Sequence, residues 1–364
     1  MITLGVIGAY QIVTRTEATE ITWGILVPSY VFFALAATGS SLVNSISTVF
    51  NVKQFKPFIK KGVWLSLVLV IPALIFIVLD LGRWNHAYNL YLLFNPTSRL
   101  GWMGILYVAF ILFLLIELIV VIKEDHLPKW STVTVGSLVL FITLAVHTNL
   151  GALFGAINSK PLFFSYFLPL HFIVSAVLVG AAIQIAFLTL CSFIKQRKIS
   201  EELRQLFIKG YRPLIIGLIL INWLLIIVKF VPGMLSSHTS PYIELLISGE
   251  YSWLFWGFEI LLGGIIPIVL LLNRHTKDSI IAIYLSSVLV VLGVYFSKYD
   301  LLIAGQSIMP FSNEFIPYTP PAVDILLLTG GISICLLCCT AGYMLLPLGN
   351  EERPKWFIFK LGKR

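Results

Sequence analysis

Apolar runs of membrane-spanning length recur along the whole chain, separated by short polar breaks. Nine meet the length of about 20 residues that a bilayer demands. They are Ile21–Phe50, Val63–Leu81, Trp102–Ile122, Trp130–Leu150, Ser165–Phe193, Tyr211–Phe230, Ser252–Leu272, Ser279–Phe296 and Val323–Leu346. Within lipid each segment must pair its own backbone N–H and C=O groups, which a helix does. The pattern predicts an all-α polytopic membrane protein of about nine transmembrane helices in two bundles. The first bundle spans 21–200 and the second 201–348. A short N-terminal segment, 1–20, precedes them, and a basic tail, 349–364, follows. Met1–Val13 is apolar but too short to span alone.

Composition agrees. Mean hydropathy is +0.95, with 58% hydrophobic and 12% charged residues, where a soluble domain carries roughly 25% charged. No signal peptide is evident: Met1–Val13 has no basic start and no small-residue cleavage site. The net charge of +8 does not read as a nucleic-acid surface, because the basic residues sit in short loops. They set topology instead. Nineteen of the 25 lysines and arginines fall in the breaks after the first, third, fifth and seventh spans and in the tail. That bias predicts an external N-terminus and a cytoplasmic C-terminus in a prokaryotic cytoplasmic membrane. Trp23, Trp84, Trp102 and Trp253 would mark the outer interface, and Trp64, Trp130 and Trp356 the inner one. The outer breaks (Arg83–Gly101, Gly151–Phe164, Val231–Tyr251, Ser297–Ala322) are the longer ones, so a partner or substrate is expected there. No Walker or GxGxxG pattern occurs. Cys191, Cys335, Cys338 and Cys339 all lie in apolar runs and read as inert buried thiols.

The polar residues inside the runs carry the functional signal, since ionisable groups in spanning segments are costly. The stretch HTNLGALFGAINSKPLFFSYFLPLH, His147–His171, joins the fourth and fifth spans. Asp80 ends the second span and Asp324 opens the ninth; Glu117 lies deep in the third and Glu259 in the seventh. The topology expectation puts Asp80, His147, Asn149 and His171 at similar depth near the outer face, with Ser29 and Tyr30 of the first span. Each has a structural reading as well. Asp80 could pair with Arg83 three residues on, His147 and His171 could bond carbonyls, and Asp324 could face a helix dipole. Glu117 and Glu259 have no such role, and Gly39, Gly180, Gly263 and Gly264 read as close helix contacts.

A quinone fits this inventory. It needs a dry slot, a donor at each carbonyl and a proton route, and histidine and tyrosine suit the carbonyls. Asp80 and His147 are the expected reactive pair, with Tyr30, His147, Asn149 and His171 around the ring. Asp80, Glu117, Glu259 and Asp324 are the expected proton path. Electrons must come from elsewhere, because no flavin, nucleotide or iron–sulfur motif is present. Two rivals stand beside this reading. One is a haem b anchor using His147 and His171 as axial ligands; the other is a secondary transporter, although its usual inverted repeat is not evident.

Several stretches resemble, in order and spacing, the NrfD/PsrC family of membrane anchors from polysulfide-reductase-type complexes. They are WGILVPSYVFFALAATGSS (Trp23–Ser41), LDLGRWNHAYNLYLLFNPTSRLGW (Leu79–Trp102), HTNLGALFG with Lys160–Phe163, FLPLHFIVSAVLVGAA, FWGFEILLGGIIPIVLLL (Phe255–Leu272) and GQS…YTPPAVDILL (Gly305–Leu327). The resemblance covers nearly the whole chain. It implies a subunit that exchanges electrons between menaquinone, or another quinone, and a ferredoxin-like iron–sulfur subunit on the outer face. Further catalytic or cytochrome subunits would complete the complex, and neither haem nor iron–sulfur cluster is expected in this chain. In the polysulfide-reductase anchor a histidine on the first helix and a tyrosine farther on border the quinone. Here those positions match Tyr30 and fall near His147, which departs from the pattern. HTNLG is closer to the longer branch of hydrogenase and sulfite-reduction-complex anchors, whose extra first helix Met1–Val13 resembles in shortened form.

Overall fold

A computed structural model describes residues 23–81, 88–123, 127–194, 199–308 and 315–346. Met1–Val13, Arg83 with its expected pairing to Asp80, Trp84, Trp356 and the tail 349–364 lie outside the described residues.

Among the described residues nine helices are long and apolar enough to cross a membrane. They are α1 (Leu26–Val49), α2 (Ile59–Asp80), α3 (Arg99–Ile122), α4 (Lys129–Gly155), α5 (Leu168–Ile194), α6 (Glu201–Met234), α7 (Leu254–Leu272), α8 (Ile280–Ala304) and α9 (Ala322–Leu345). A short helix, Ser240–Ile247, lies between α6 and α7.

The hub is α1, whose spanning window is buried throughout. It packs against α2, α4, α5 and α8. Its sequence explains why it can. A run of small residues, Ala34 to Ser41, lets neighbours approach closely. At Gly39 a Cβ would run into the backbone carbonyl of Ala176, and at Gly180 one would run into the backbone of Gly39 and Ser40. The α1–α5 crossing is therefore backbone against backbone. Several hydroxyls that this helix carries into the interior return to its own backbone: Ser29 donates to Ile25 O at 2.7 Å, Ser47 to Val43 O at 2.6 Å and Thr48 to Asn44 O at 3.0 Å. Such bonds satisfy the polar groups without a partner helix. A second backbone crossing joins α7 and α8 at Gly263 and Gly293. The last helix, α9, packs chiefly on α2.

Three helices carry π-helical segments: Leu206–Tyr211 in α6, Leu254–Ile265 in α7 and Asp300–Ala304 in α8. The last corrects a boundary. Apolarity predicts an end at Phe296, but the helix continues through Ser297-Lys298-Tyr299-Asp300 because Leu301–Ala304 resumes the apolar run. Lys298 thus belongs to a spanning helix, not to an outer loop.

The connection between α4 and α5 is pinned by aromatic rings. Phe163 stacks on Trp23 (centroids 6.0 Å, 14° between planes), and Phe154 meets the edge of Trp23 at 5.6 Å.

Candidate functional site

Most of the sequence-predicted residues fall into three regions. The first contains His147. Ser41 on α1 donates to Thr143 Oγ1 on α4 at 3.3 Å, since the Thr143 hydroxyl proton is committed to Val139 O at 2.6 Å. This contact fixes the register of the two helices. His147 lies one turn from Thr143 toward the Trp23 end, fully buried, and neither ring nitrogen has a hydrogen-bond partner. Leaving a buried polar group unmatched costs about 1–3 kcal/mol, so an open imidazole in a packed interior calls for an explanation. Tyr30, nearer the Trp23 end of α1, is buried with its ring 6.3 Å from that of Tyr107 on α3. Ser29 beside it lies 3.2 Å from the Tyr295 hydroxyl of α8.

The second region lies between α5, α6, α7 and α8. His171 Nε2 donates to Asn222 Oδ1 at 3.0 Å. The backbone carbonyl of His171 accepts from Ser175 Oγ, and Ser175 Oγ in turn accepts from Lys298 Nζ at 3.0 Å. The Lys298 ammonium also sits 5.0 Å from the ring centre of Phe172, on the next turn of α5. This lysine is completely buried. Its charge interacts with Glu259, Lys229, His171 and His147. Asp300, 1% exposed, interacts with Glu259 and has no hydrogen-bond partner at either carboxyl oxygen. Lys298, Glu259 and Asp300 thus form a buried cluster, with Lys229 half-buried beside them. Two small cavities flank Glu259 and Ser297, one also lined by Ser175 and Asn222, the other by His171, Lys229 and Asp300. They measure about 10 and 30 Å3, room for one and about two waters. Neither could admit a quinone ring.

The third region joins the ends of α2 and α9. Asp80 interacts electrostatically with Asp324 in the first turn of α9. Tyr318 stands beside Asp324 at the start of α1, where its hydroxyl accepts from Ile25 N at 2.7 Å. Asn149 and Glu117 stand apart from all three. The Asn149 amide donates to Arg99 O at 3.0 Å and contacts Met103 Sδ at 3.3 Å, which ties α4 to α3. Glu117 is 1% exposed on α3 with both carboxyl oxygens unpartnered.

The expected grouping of Asp80, Tyr30, His147, Asn149 and His171 at one depth therefore resolves into separate contacts. His147 and His171 share the field of Lys298, while Asp80 belongs with Asp324. Sequence reasoning missed Lys298, Lys229, Asp300, Asn222 and Tyr107. The signal for two of them was present: an apolar run ends at Phe296 and resumes at Leu301–Ala304, on either side of Lys298 and Asp300.

Three relatives align with most of this chain. An Hdr-like menaquinol oxidoreductase integral membrane subunit from Archaeoglobus fulgidus is 26% identical, over 92% of this chain and 87% of its own. A selenate reductase subunit from Mesobacillus selenatarsenatis is 24% identical, over 91% and 87%. A putative dimethyl sulfoxide reductase membrane subunit from Halobacterium salinarum is 24% identical, over 90% and 83%. The model of the polysulphide reductase NrfD family matches residues 14–310, and with nine spanning helices among the described residues around a buried polar interior the chain belongs to that family of integral membrane proteins, as an oxidoreductase membrane subunit.

Proposed function

We propose that this protein is the quinone-reactive membrane subunit of a respiratory oxidoreductase. It exchanges electrons between menaquinone, or a related quinone, and an iron–sulfur subunit bound at the outer face. The observation that carries the reading is His147: a fully buried imidazole with both nitrogens unpartnered, one turn from the Ser41–Thr143 contact and within the field of Lys298. The menaquinol oxidoreductase subunit among the relatives supports the choice of substrate.

A quinol supplies two electrons and two protons when it is oxidised. His147 offers the acceptor that a departing hydroxyl proton needs and the donor that a quinone carbonyl needs. Tyr30 and Tyr107 stand near the expected entry and exclude water from it. His171, held by Asn222, supports the ring site from behind, and Asn149 fixes α4 against α3. Asp80, Glu117, Glu259 and Asp324 are the carboxyl groups along which protons leave or enter. Electrons pass to the iron–sulfur partner without a resident cofactor in this chain.

The test uses the purified complex with a soluble menaquinol analogue. His147→Gln and Asp80→Asn should each lower quinol oxidation at least about tenfold, with the complex still assembled. Unchanged turnover in both variants would assign these residues to structure alone. A haem spectrum stoichiometric with this chain would favour the haem b reading; His171 would then have to release Asn222 or bind through Nδ1.

A further inference from the structure

The cluster around Lys298 has a feature that quinone binding does not explain. Asp300 is a carboxyl with no hydrogen-bond partner, 1% exposed, lining a cavity that Glu259, Lys229 and His171 also line. A partnerless carboxyl against a small cavity of about 30 Å3 is suited to hold water, because about two waters fit and the polar walls can bond them. The second cavity continues the line. It shares Glu259 and Ser297 with the first and reaches Ser175, whose hydroxyl oxygen accepts from Lys298 Nζ at 3.0 Å. The order in space is then Asp300, the first cavity, Glu259, the second cavity, Ser175 and Lys298. Lys298 is the member whose charge also acts on His147.

We propose that Glu259 and Asp300 form a water-bridged proton-exchange site that Ser175 joins to Lys298. The exchange site stands on the cavity geometry; its use during quinol oxidation rests on the proposed function above. Lys298 Nζ passes a proton to Ser175 Oγ as the serine's own proton turns from His171 O to water in the second cavity, and that water passes one to the Glu259 carboxylate. Water in the first cavity hands it on to Asp300. The reverse steps reload Lys298. Only N–H and O–H bonds break and form, and no electrons move through the cluster. The titratable and charged groups that interact with Lys298 are His171 from α5, Lys229 from α6, Glu259 from α7 and His147 from α4, while Asp300 of its own helix acts on Glu259.

Two measurements on the full complex test this separately. The first is infrared difference spectroscopy as the bulk pH is varied. A carboxyl C=O band should change with pH and be lost in both Glu259→Gln and Asp300→Asn, while Asp300→Glu should restore it at a shifted frequency. If the band is unaltered in the Gln and Asn variants, the exchange site is overturned, and this result does not depend on quinone. Should Asp300→Asn fail to assemble, Glu259→Gln and Asp300→Glu carry the same comparison. The second is the pH midpoint of that band in Lys298→Met and Lys298→Arg. Removing the neighbouring charge in the Met variant should raise the midpoint by about one pH unit, and the Arg variant should keep it near its original place. An unmoved midpoint in Lys298→Met, with the band present, overturns the link between Lys298 and the exchange site. If His147→Gln leaves quinol oxidation unaltered, the quinone reading falls, while the infrared result still decides the exchange site.

Discussion

Gln306 grips the peptide of Trp23 with both ends of its amide. Trp23 N donates to Gln306 Oε1 at 3.1 Å, and Gln306 Nε2 donates to Trp23 O at 3.2 Å. Nε2 also donates to Leu302 O at 2.8 Å. The start of the central helix is thereby fastened to the end of α8, beside the stacked pair Trp23 and Phe163. Gln306→Leu removes both arms and leaves the Trp23 peptide unmatched in a partly buried place. The expected loss is about 1–3 kcal/mol. Gln306→Glu keeps the acceptor but turns an oxygen toward the Trp23 and Leu302 carbonyls, and should cost at least as much. Thermal unfolding in detergent measures both; equal stability of the Leu variant and the unaltered protein would show that the clamp carries no weight.

The Gly39–Gly180 crossing leads to a second expectation. A methyl group at Gly39 collides with the Ala176 carbonyl, which is backbone and cannot rotate away. Gly39→Ala should force α1 and α5 apart at a cost of about 1–3 kcal/mol, and Gly39→Val should cost more. Gly217 on α6 is the control, because a Cβ there meets nothing within 4 Å. Gly217→Ala should be neutral or stabilising by up to about 1 kcal/mol. The yield of folded protein after detergent extraction separates the two.

The spans, their number and the close glycine contacts were legible because lipid imposes one rule on long segments, that apolar runs become helices. Gly39, Gly180 and Gly263 were legible for the same reason: small residues in such runs mark where backbones meet. Side-chain grouping was not. Depth along a helix can be counted from the sequence, but facing cannot. Asp80 and His147 lie near the same ends of α2 and α4 yet point toward different partners, Asp324 for one and the field of Lys298 for the other. Lys298 was passed over because a charge reads as the end of a span, although apolar runs lie on both sides of it. Its partners, Ser175 and Phe172 on α5 and Glu259 on α7, come from other helices whose facing no periodicity announces.

Asn222 and His171 should behave as a unit. Asn222→Leu leaves the His171 Nε2–H buried with no acceptor, at a cost of about 1–3 kcal/mol. Adding His171→Phe removes the stranded donor and should recover part of that loss. A double-mutant cycle on thermal stability should give a coupling of at least about 0.5 kcal/mol. Strict additivity would mean that the 3.0 Å contact contributes nothing.

His147 should respond in the opposite sense, and that contrast is the sharpest check on its role. Its two ring nitrogens are buried with no partner, so they cost the resting protein free energy that a side chain kept for packing would not. Replacing it with leucine discards both polar atoms and approximates the volume. His147→Leu should therefore be as stable as the unaltered protein, or more stable by about 1 kcal/mol, even though it removes a completely buried residue. Quinol oxidation should fall by about a hundredfold or more, because the donor and acceptor vanish together. His147→Gln restores one donor and one acceptor and should lie between the two in rate. A structural histidine would give the reverse pattern: Leu would lower the unfolding temperature, and turnover per folded molecule would stay constant. Measuring unfolding temperature and quinol turnover on the same preparations separates the two roles.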